Sequence, residues 1–232
     1  MSDEGTLWQG VKDLIGSRVL TLGGHWSFNI RNDPKRLPFV LSRYKFAAKM
    51  ACRGRDVLEL GCSEGIGTPI LAEFASSYTG VDMDAEAIAA AQRNFQAEHR
   101  HFVADDFLGK RFGSFGAVIS LDVVEHIVPD IEDRYFDTVA MNLSNDGVAV
   151  VGTPNKTADV YASAMSKAGH VNLFDAAHLL RAMRRVFHNV FPFGINDEVV
   201  HTGYAPMCHY LVCVGCNKRI TGDPPAEERH GR

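Results

Sequence analysis

The sequence predicts an α/β fold in which a mostly parallel β-sheet is covered by helices on both faces. Strand patterns alternate with helix patterns over residues 56–152, the order typical of parallel strands joined by helical crossovers. The strand at residues 115–121 is apolar almost throughout, as expected of a central strand buried on both faces. Two strand-like stretches with no helix between them close the chain, which predicts an antiparallel pair at the edge of the sheet.

The predicted elements follow one another in a regular order. The helix at residues 38–53 is predicted because apolar residues recur there every three or four positions. Pro129 suits a first helical turn and Asp175 is a helix start signal. The seven predicted strands are at residues 56–60, 78–81, 101–104, 115–121, 147–152, 189–193 and 208–214. The other predicted helices are at residues 68–76, 85–96, 129–143 and 174–186.

Length, charge and cysteine content exclude several classes of protein. A chain of 232 residues is short enough for one core, and we expect a single domain over residues 1–220 with a flexible tail at 221–232. The net charge of -4 disfavours a nucleic-acid partner. No apolar stretch is long enough to span a bilayer, and the acidic N-terminus does not resemble a signal peptide. Five cysteines, an odd number, predict reduced thiols and a cytoplasmic location.

A glycine-rich turn directly follows the first predicted strand. Gly61, Gly65 and Gly67 allow a tight turn and a close approach of a ligand to the backbone. Asp82 ends the second strand, where a carboxylate can accept hydrogen bonds from both hydroxyls of a ribose. The dinucleotide fingerprint requires a second glycine at the position of Ser63. The turn therefore favours an adenosine-containing ligand other than a dinucleotide.

Five segments in register resemble the motifs of the class I S-adenosylmethionine (SAM)-dependent methyltransferases. The first motif of that family commonly has a glycine where Ser63 stands, and this is a departure from the pattern. The resemblance implies a Rossmann-like doubly wound fold, SAM as cofactor, and an N-terminal segment at residues 1–37 that closes over the cofactor. The five segments are residues 57–65, 80–84, 102–107, 115–126 and 146–155.

The resemblance implies contacts to the methionine part of SAM. Glu59 would approach the ammonium group or order the loop, and Leu121 would present its backbone near the sulfonium. Arg43 and Tyr44 are candidates for the carboxylate, because arginine offers a bidentate fork, or else they are surface residues of a helix. The loop residues expected to line this part of the site are Gly61, Cys62, Ser63 and Gly65.

The resemblance also implies contacts to the adenosine part of SAM. Asp82 would bind the ribose, and Met83 would pack on the adenine. Asp105 would accept from the adenine amino group, with Asp106 beside it and Phe107 as an apolar wall. The alternative for the two neighbouring aspartates is a cap on the following turn.

Two histidines are candidates for the general base. His126 follows the fourth strand in a run, residues 122–126, that resembles small-molecule methyltransferases, including many O-methyltransferases. His170 lies in a loop that the resemblance places over the substrate pocket. Imidazole suits proton transfer because its pKa lies near neutral pH. The alternative for each is a structural role.

No metal site is predicted from the cysteines. Cys213 and Cys216 lie three residues apart in a predicted strand and therefore point to opposite faces. The favoured function is methyl transfer to a small molecule, at a hydroxyl oxygen of a sugar, a lipid-linked compound or a natural product. The alternatives are an NAD(P)-dependent oxidoreductase and a non-catalytic methyltransferase-like partner protein. The closing hairpin would allow a homodimer by edge pairing.

Overall fold

The computed structural model describes residues 3–17 and 19–219, so the predicted tail at residues 221–232 lies outside the described residues. Within the described residues the chain forms eight strands and eight α-helices. The strands are β1 (Asp56–Leu60), β2 (Ser77–Asp82), β3 (Arg100–Ala104), β4 (Phe115–Leu121), β5 (Leu143–Pro154), β6 (Phe187–Asn196), β7 (Val199–His201) and β8 (Tyr210–Lys218). The helices are α1 (Asp3–Ile15), α2 (Gly24–Asn32), α3 (Arg36–Ala47), α4 (Thr68–Phe74), α5 (Ala85–Phe95), α6 (Glu132–Met141), α7 (Ala164–Gly169) and α8 (Ala176–Val186).

All the strands belong to one sheet in the order β3-β2-β1-β4-β5-β8-β6-β7. Strands β3, β2, β1, β4 and β5 are parallel, and β8 runs antiparallel to both of its neighbours, β5 and β6. The chain moves outward in one direction from β1 to β3 and then returns to the other side of β1 to form β4. Ligands of such sheets bind at the carboxyl ends of the strands, beside the point where the strand order reverses. The prediction of a doubly wound, mostly parallel α/β sheet is confirmed.

The sheet has one strand more than predicted. Strand β7 is only three residues long and pairs with β6 through Asn196 and Val199, so that Asp197 and Glu198 form the hairpin turn. Asp197 takes the left-handed conformation that such turns require, with φ at 53°. The predicted antiparallel pair of closing strands is present as β8 and β6, with β8 next to β5 and the additional β7 at the edge.

Two apolar clusters cover the faces of the sheet. One contains Tyr44 and Tyr78, and the other contains Tyr135 and Phe174. The predicted helix at residues 38–53 is α3 followed by a π-helical turn at Ala48–Cys52. No helix in the described part of the chain has both the length and the apolar character needed to cross a bilayer.

Candidate active site

A cavity of about 410 Å³ opens at the carboxyl ends of β1, β2 and β4. This volume lies in the range of small-molecule sites. Most of the residues predicted for the site line it, although they come from distant parts of the sequence. These are Tyr44, Gly61, Cys62, Ser63, Asp82, Met83, Asp106, Phe107, Leu121, His126 and His170. Four other predicted residues, Arg43, Glu59, Gly65 and Asp105, are not part of its wall.

The glycine turn after β1 is shaped by three left-handed residues, Gly61, Ser63 and Gly65. Gly61 has φ at 82°, and a Cβ there would collide with the side chain of Val123. Ser63 has φ at 47°, which is strained for a residue with a side chain. In this conformation the backbone N–H of Ser63 donates to Oδ2 of Asp82 at 2.8 Å. The turn after β1 and the carboxylate after β2 therefore form one unit.

Asp82 is held at the rim of the cavity by backbone donors. Its Oδ1 accepts from the N–H of Asp84 at 2.9 Å, in addition to the bond from Ser63. Each carboxylate oxygen keeps a further lone pair that can accept from a hydroxyl. Met83, next along the chain, has 76% of its surface exposed beside the cavity. This arrangement suits a pair of ribose hydroxyls.

The two aspartates after β3 face different surroundings. Asp105 forms an ion pair with Lys110 at 2.6 Å and does not line the cavity, and its contact with the adenine stays a prediction. Asp106 lines the cavity, and its Oδ1 accepts from the N–H of Leu108. Phe107 supplies the apolar wall.

Glu59 lies under the glycine turn and is 1% exposed. Its two carboxylate oxygens accept from the hydroxyls of Tyr44 at 2.7 Å and Tyr78 at 2.5 Å. Thr68 in turn donates to the Tyr78 hydroxyl, which ties the network to the start of α4. Burial raises the pKa of Glu59 from 4.5 to about 7. This position matches an ordering role for Glu59 beneath the loop.

We expect Glu59→Gln to change how stability depends on pH. A raised pKa means that the native state binds the proton more tightly, so wild-type stability falls as the pH rises from 4.5 to about 7. The shift corresponds to about 3 kcal/mol. The free energy of unfolding of Glu59→Gln minus that of wild type should therefore increase by about this amount between pH 4.5 and pH 8, as measured by urea unfolding. The exposed Glu73→Gln is the control, and a difference that does not vary with pH would contradict the prediction.

Arg43 is already paired and does not face the cavity. Its Nη1 donates to both carboxylate oxygens of Asp122, at 2.8 and 2.9 Å, and its guanidinium stacks on the ring of Tyr210 at 3.8 Å. In this geometry the partner of Arg43 is Asp122, and a contact with a cofactor carboxylate stays a prediction. Arg36, at the start of α3, lines the cavity instead. Spacing alone could not separate two arginines that lie two helical turns apart.

A segment before β1 covers the cavity. His25 and Trp26 of α2 and Arg36 and Val40 of α3 contribute to its wall. Glu64, from the glycine turn, accepts from the backbone N–H groups of His25 at 2.8 Å and Trp26 at 3.2 Å. The sequence indicated a covering segment at residues 1–37 but not the part played by Glu64.

The far end of the cavity contains Glu125, His126 and His170. His126 ends a short 3₁₀ turn after β4, and its Nδ1 lies 2.8 Å from the carbonyl oxygen of Gly169. The two imidazole rings meet edge to face with centroids 5.2 Å apart. Burial lowers the pKa of His170 and raises the pKa of Glu125. The structure therefore brings together two histidines that are separated by more than forty positions in the chain.

Glu125 is almost fully buried beside the histidines. Its Oε2 accepts from the hydroxyl of Thr153 at 3.0 Å, and within the described part of the chain its Oε1 has no hydrogen-bond partner. Its backbone carbonyl accepts from the N–H groups of Val171 and Asn172, which fixes the loop that carries His170. The sequence showed Glu125 next to His126 but gave no reason to expect an unpaired oxygen.

The sheet order, the glycine turn and the rim carboxylate together define a class I SAM-dependent methyltransferase. The chain belongs to the methyltransferase-domain family, whose sequence model matches residues 33–186. SAM is its cofactor, and the cradle at Gly61, the free lone pairs of Asp82 and the apolar wall at Phe107 fit this molecule. The two alternatives, an oxidoreductase and a non-catalytic relative, are not supported.

Known proteins of this class resemble the chain in sequence and in fold. The ubiquinone biosynthesis O-methyltransferase of Psychrobacter arcticus is 28% identical over 180 residues, which are 72% of this chain and 65% of that protein. The chain spans 57% of the corresponding enzyme of Xanthomonas campestris.

Solved structures share the fold at lower identity. A TehB-like SAM-dependent methyltransferase from Corynebacterium glutamicum superposes with a TM-score of 0.63 at 20% identity, over 84% of this chain and 97% of that one. The N-methyltransferase NodS from Bradyrhizobium japonicum, in complex with S-adenosyl-L-homocysteine (SAH), gives a TM-score of 0.58 at 18% identity, over 82% and 90% of the two chains.

Proposed function

We propose that the protein methylates a hydroxyl oxygen of a small molecule that binds beside His126 and His170. The two relatives found by sequence are O-methyltransferases, and the chain spans 65% and 57% of their lengths. The cavity is too small for a folded macromolecule, and Trp26, Val40 and Ile127 make part of its wall apolar. An acceptor with a hydroxyl on an apolar body, such as an aromatic or lipid-linked compound, suits this lining.

The observation that carries the proposal is the tautomer of His126. A carbonyl oxygen can only accept, so Nδ1 of His126 donates its proton to Gly169. The neutral ring then has its lone pair on Nε2. We assign to this nitrogen the removal of the hydroxyl proton, with His170 packed against His126 in the same part of the cavity wall. A hydroxyl needs such help more than a neutral amine does, because its oxygen is a weak nucleophile until it is deprotonated.

The chain's residues have distinct tasks in this reaction. SAM supplies an electrophilic methyl group when bound. Asp82 and the glycine turn fix the cofactor, and α2 excludes water from the cavity. Glu125 and the loop of residues 169–172 hold the two imidazoles in place. A cytoplasmic location and a homodimer stay predictions.

The proposal is tested with two isosteric acceptors and one mixture. The protein is incubated with methyl-labelled SAM and either 3,4-dihydroxybenzoate, 3,4-diaminobenzoate or a protein-free small-molecule extract of bacterial cells. We expect labelled methyl ethers, identified by mass spectrometry, from the extract and more product from the diol than from the diamine. Labelled products that carry the methyl group only on nitrogen, carbon or sulfur would contradict methylation at oxygen.

A further inference from the structure

The first helix, α1, has an apolar stripe that no residue in the described part of the chain covers. Apolar side chains recur along it at positions 7, 8, 11, 14 and 15, which lie on one side of a helix. All residues from 4 to 17 are exposed, so the stripe faces solvent. A free helix of 13 residues is marginal in water, because most helical stability comes from the packing of an apolar face. The stripe consists of Leu7, Trp8, Val11, Leu14 and Ile15, whose exposure ranges from 40% to 89%.

A line of positive charges lies on α3 and on the π-helical turn that continues it. Over residues 24–55 the sequence has eight lysines and arginines and one acid, Asp33, although the net charge of the whole chain is -4. Lys45, Lys49 and Arg53 are exposed and follow one another at intervals of four residues, the spacing of neighbours on one side of a helix. Among the described residues neither lysine has a carboxylate partner. This line therefore suits an acidic partner.

Two apolar side chains lie beside the line of charges. Phe46 of α3 packs against Phe193 of β6, with ring centroids 5.0 Å apart. Met50 follows Phe46 by one helical turn, and Phe191 precedes Phe193 by two residues on the same face of β6. Met50 is 44% exposed and Phe191 is 52% exposed, so each flanks the packed pair and faces solvent. The line and these two side chains together form the α3 surface, which consists of Lys45, Lys49, Met50, Arg53 and Phe191.

Helix α1 complements the α3 surface in apolar pattern and in charge. Glu4 lies on the same side of α1 as the stripe, because it precedes Leu7 by three residues and Trp8 by four. Asp3 is next to it, and the whole helix has three acids and one lysine. The stripe would cover the apolar part of the α3 surface while the acidic end meets the line of charges. Helices that lie on membranes have a polar side rich in lysine and arginine, which α1 lacks.

The α1 helix of the same chain is poorly placed to lie along the α3 surface. The segment after α1 is fixed at Thr21, whose backbone N–H and carbonyl both bond to the side-chain amide of Asn94 in α5. Helix α5 packs on β2 and β3, and β6 lies five strands from β2, about 24 Å at a strand spacing of about 4.8 Å. The connection from Ile15 to Thr21 spans at most about 22 Å when fully extended. A second copy of the chain is the occupant that fits.

We propose that two copies of the chain exchange their α1 helices, each placing its apolar stripe on the α3 surface of the other copy. The contact is formed twice in the dimer, because a twofold axis repeats every contact. This dimer differs from the edge pairing of strands expected from the sequence, since α3 packs on a face of the sheet. The proposal does not depend on which acceptor the protein methylates.

Sedimentation velocity of the full chain over a range of concentrations measures the dissociation constant of the dimer. We expect a dimer in wild type and at least a tenfold weaker dimer in Trp8→Glu, Lys49→Glu and Met50→Glu. Added salt should also weaken the wild-type dimer, because it screens the charged contacts. Two exposed positions outside the contact give the matched controls, Thr6→Glu on the polar side of α1 and Lys167→Glu on α7, and both should dimerise as wild type does.

The outcomes identify what covers α1. A wild type that stays monomeric at every concentration overturns the exchange. A dimer that is weakened by Trp8→Glu but by neither Lys49→Glu nor Met50→Glu also overturns it, because α1 then contacts another surface. A monomer that sediments with vesicles of phosphatidylcholine and phosphatidylglycerol, and no longer does so in Trp8→Glu, would assign the stripe to a lipid surface instead. Unchanged melting temperature and SAH affinity show that each variant is folded.

Discussion

Asp82→Ala should weaken SAH binding by at least two orders of magnitude. The carboxylate is held by the N–H groups of Ser63 and Asp84, and it presents its remaining lone pairs to the ribose site. Each hydrogen bond to a charged group contributes about 1.5–3 kcal/mol, so the loss of two ribose contacts reduces affinity by about 100-fold or more. The change also leaves the N–H of Ser63 without its acceptor, and Ser63 is in a strained conformation. Isothermal titration with SAH measures the effect.

Two further variants make this measurement specific. Asp82→Asn keeps one acceptor oxygen and should give an intermediate loss of affinity. Asp146→Ala removes an exposed carboxylate that bonds only to the nearby Ser144 hydroxyl among the described contacts, and it should bind SAH as wild type does. An unchanged dissociation constant in Asp82→Ala would show that the rim carboxylate does not contact the cofactor.

His126→Asn should lower kcat for O-methylation by about 10²–10⁴-fold, the usual contribution of a positioned acid or base. Asparagine is chosen because its side-chain amide reaches the position of Nδ1 and can still donate to Gly169, whereas nothing replaces Nε2. The loop that carries His170 therefore stays anchored, and SAH affinity should change less than twofold. Initial rates with the best acceptor from the extract, with SAM saturating, measure the loss.

The control for this variant is His101→Gln, at an exposed site on β3, which should keep its rate. A His126→Asn enzyme that retains near wild-type kcat would show that positioning of the acceptor is enough and that Nε2 takes no part in the reaction. Loss of rate together with loss of SAH binding would indicate a structural effect instead.

Much of the fold could be predicted because its signals are local. The run from Phe115 to Leu121 is apolar apart from Ser120, and its predicted bounds match β4. The glycine turn and Asp82 were recognisable because one strand-helix-strand unit, β1-α4-β2, sets the distance between them in the sequence. Strand β7 was missed because three residues are too few to show a period of two.

The features of the site that the sequence did not predict arise from contacts between distant residues. Arg43 faces Asp122, which lies 79 positions away, and no local pattern encodes such a pair. The choice between Asp105 and Asp106 depends on the direction in which the chain leaves β3, which the sequence does not specify. The unpaired oxygen of Glu125 could be found only after the surroundings of the side chain were known.

The hydrogen bonds that α2 donates to Glu64 couple two events, the release of SAH from the glycine turn and the opening of the cavity entrance. The carboxylate belongs to the turn that binds the cofactor, but it caps the helix that covers the cavity, whose own N-cap, Gly23, has no side chain. By thermodynamic reciprocity, any factor by which bound SAH stabilises this cap is also the factor by which the capped helix raises the affinity for SAH. Release of SAH and opening of the entrance therefore share one free-energy term.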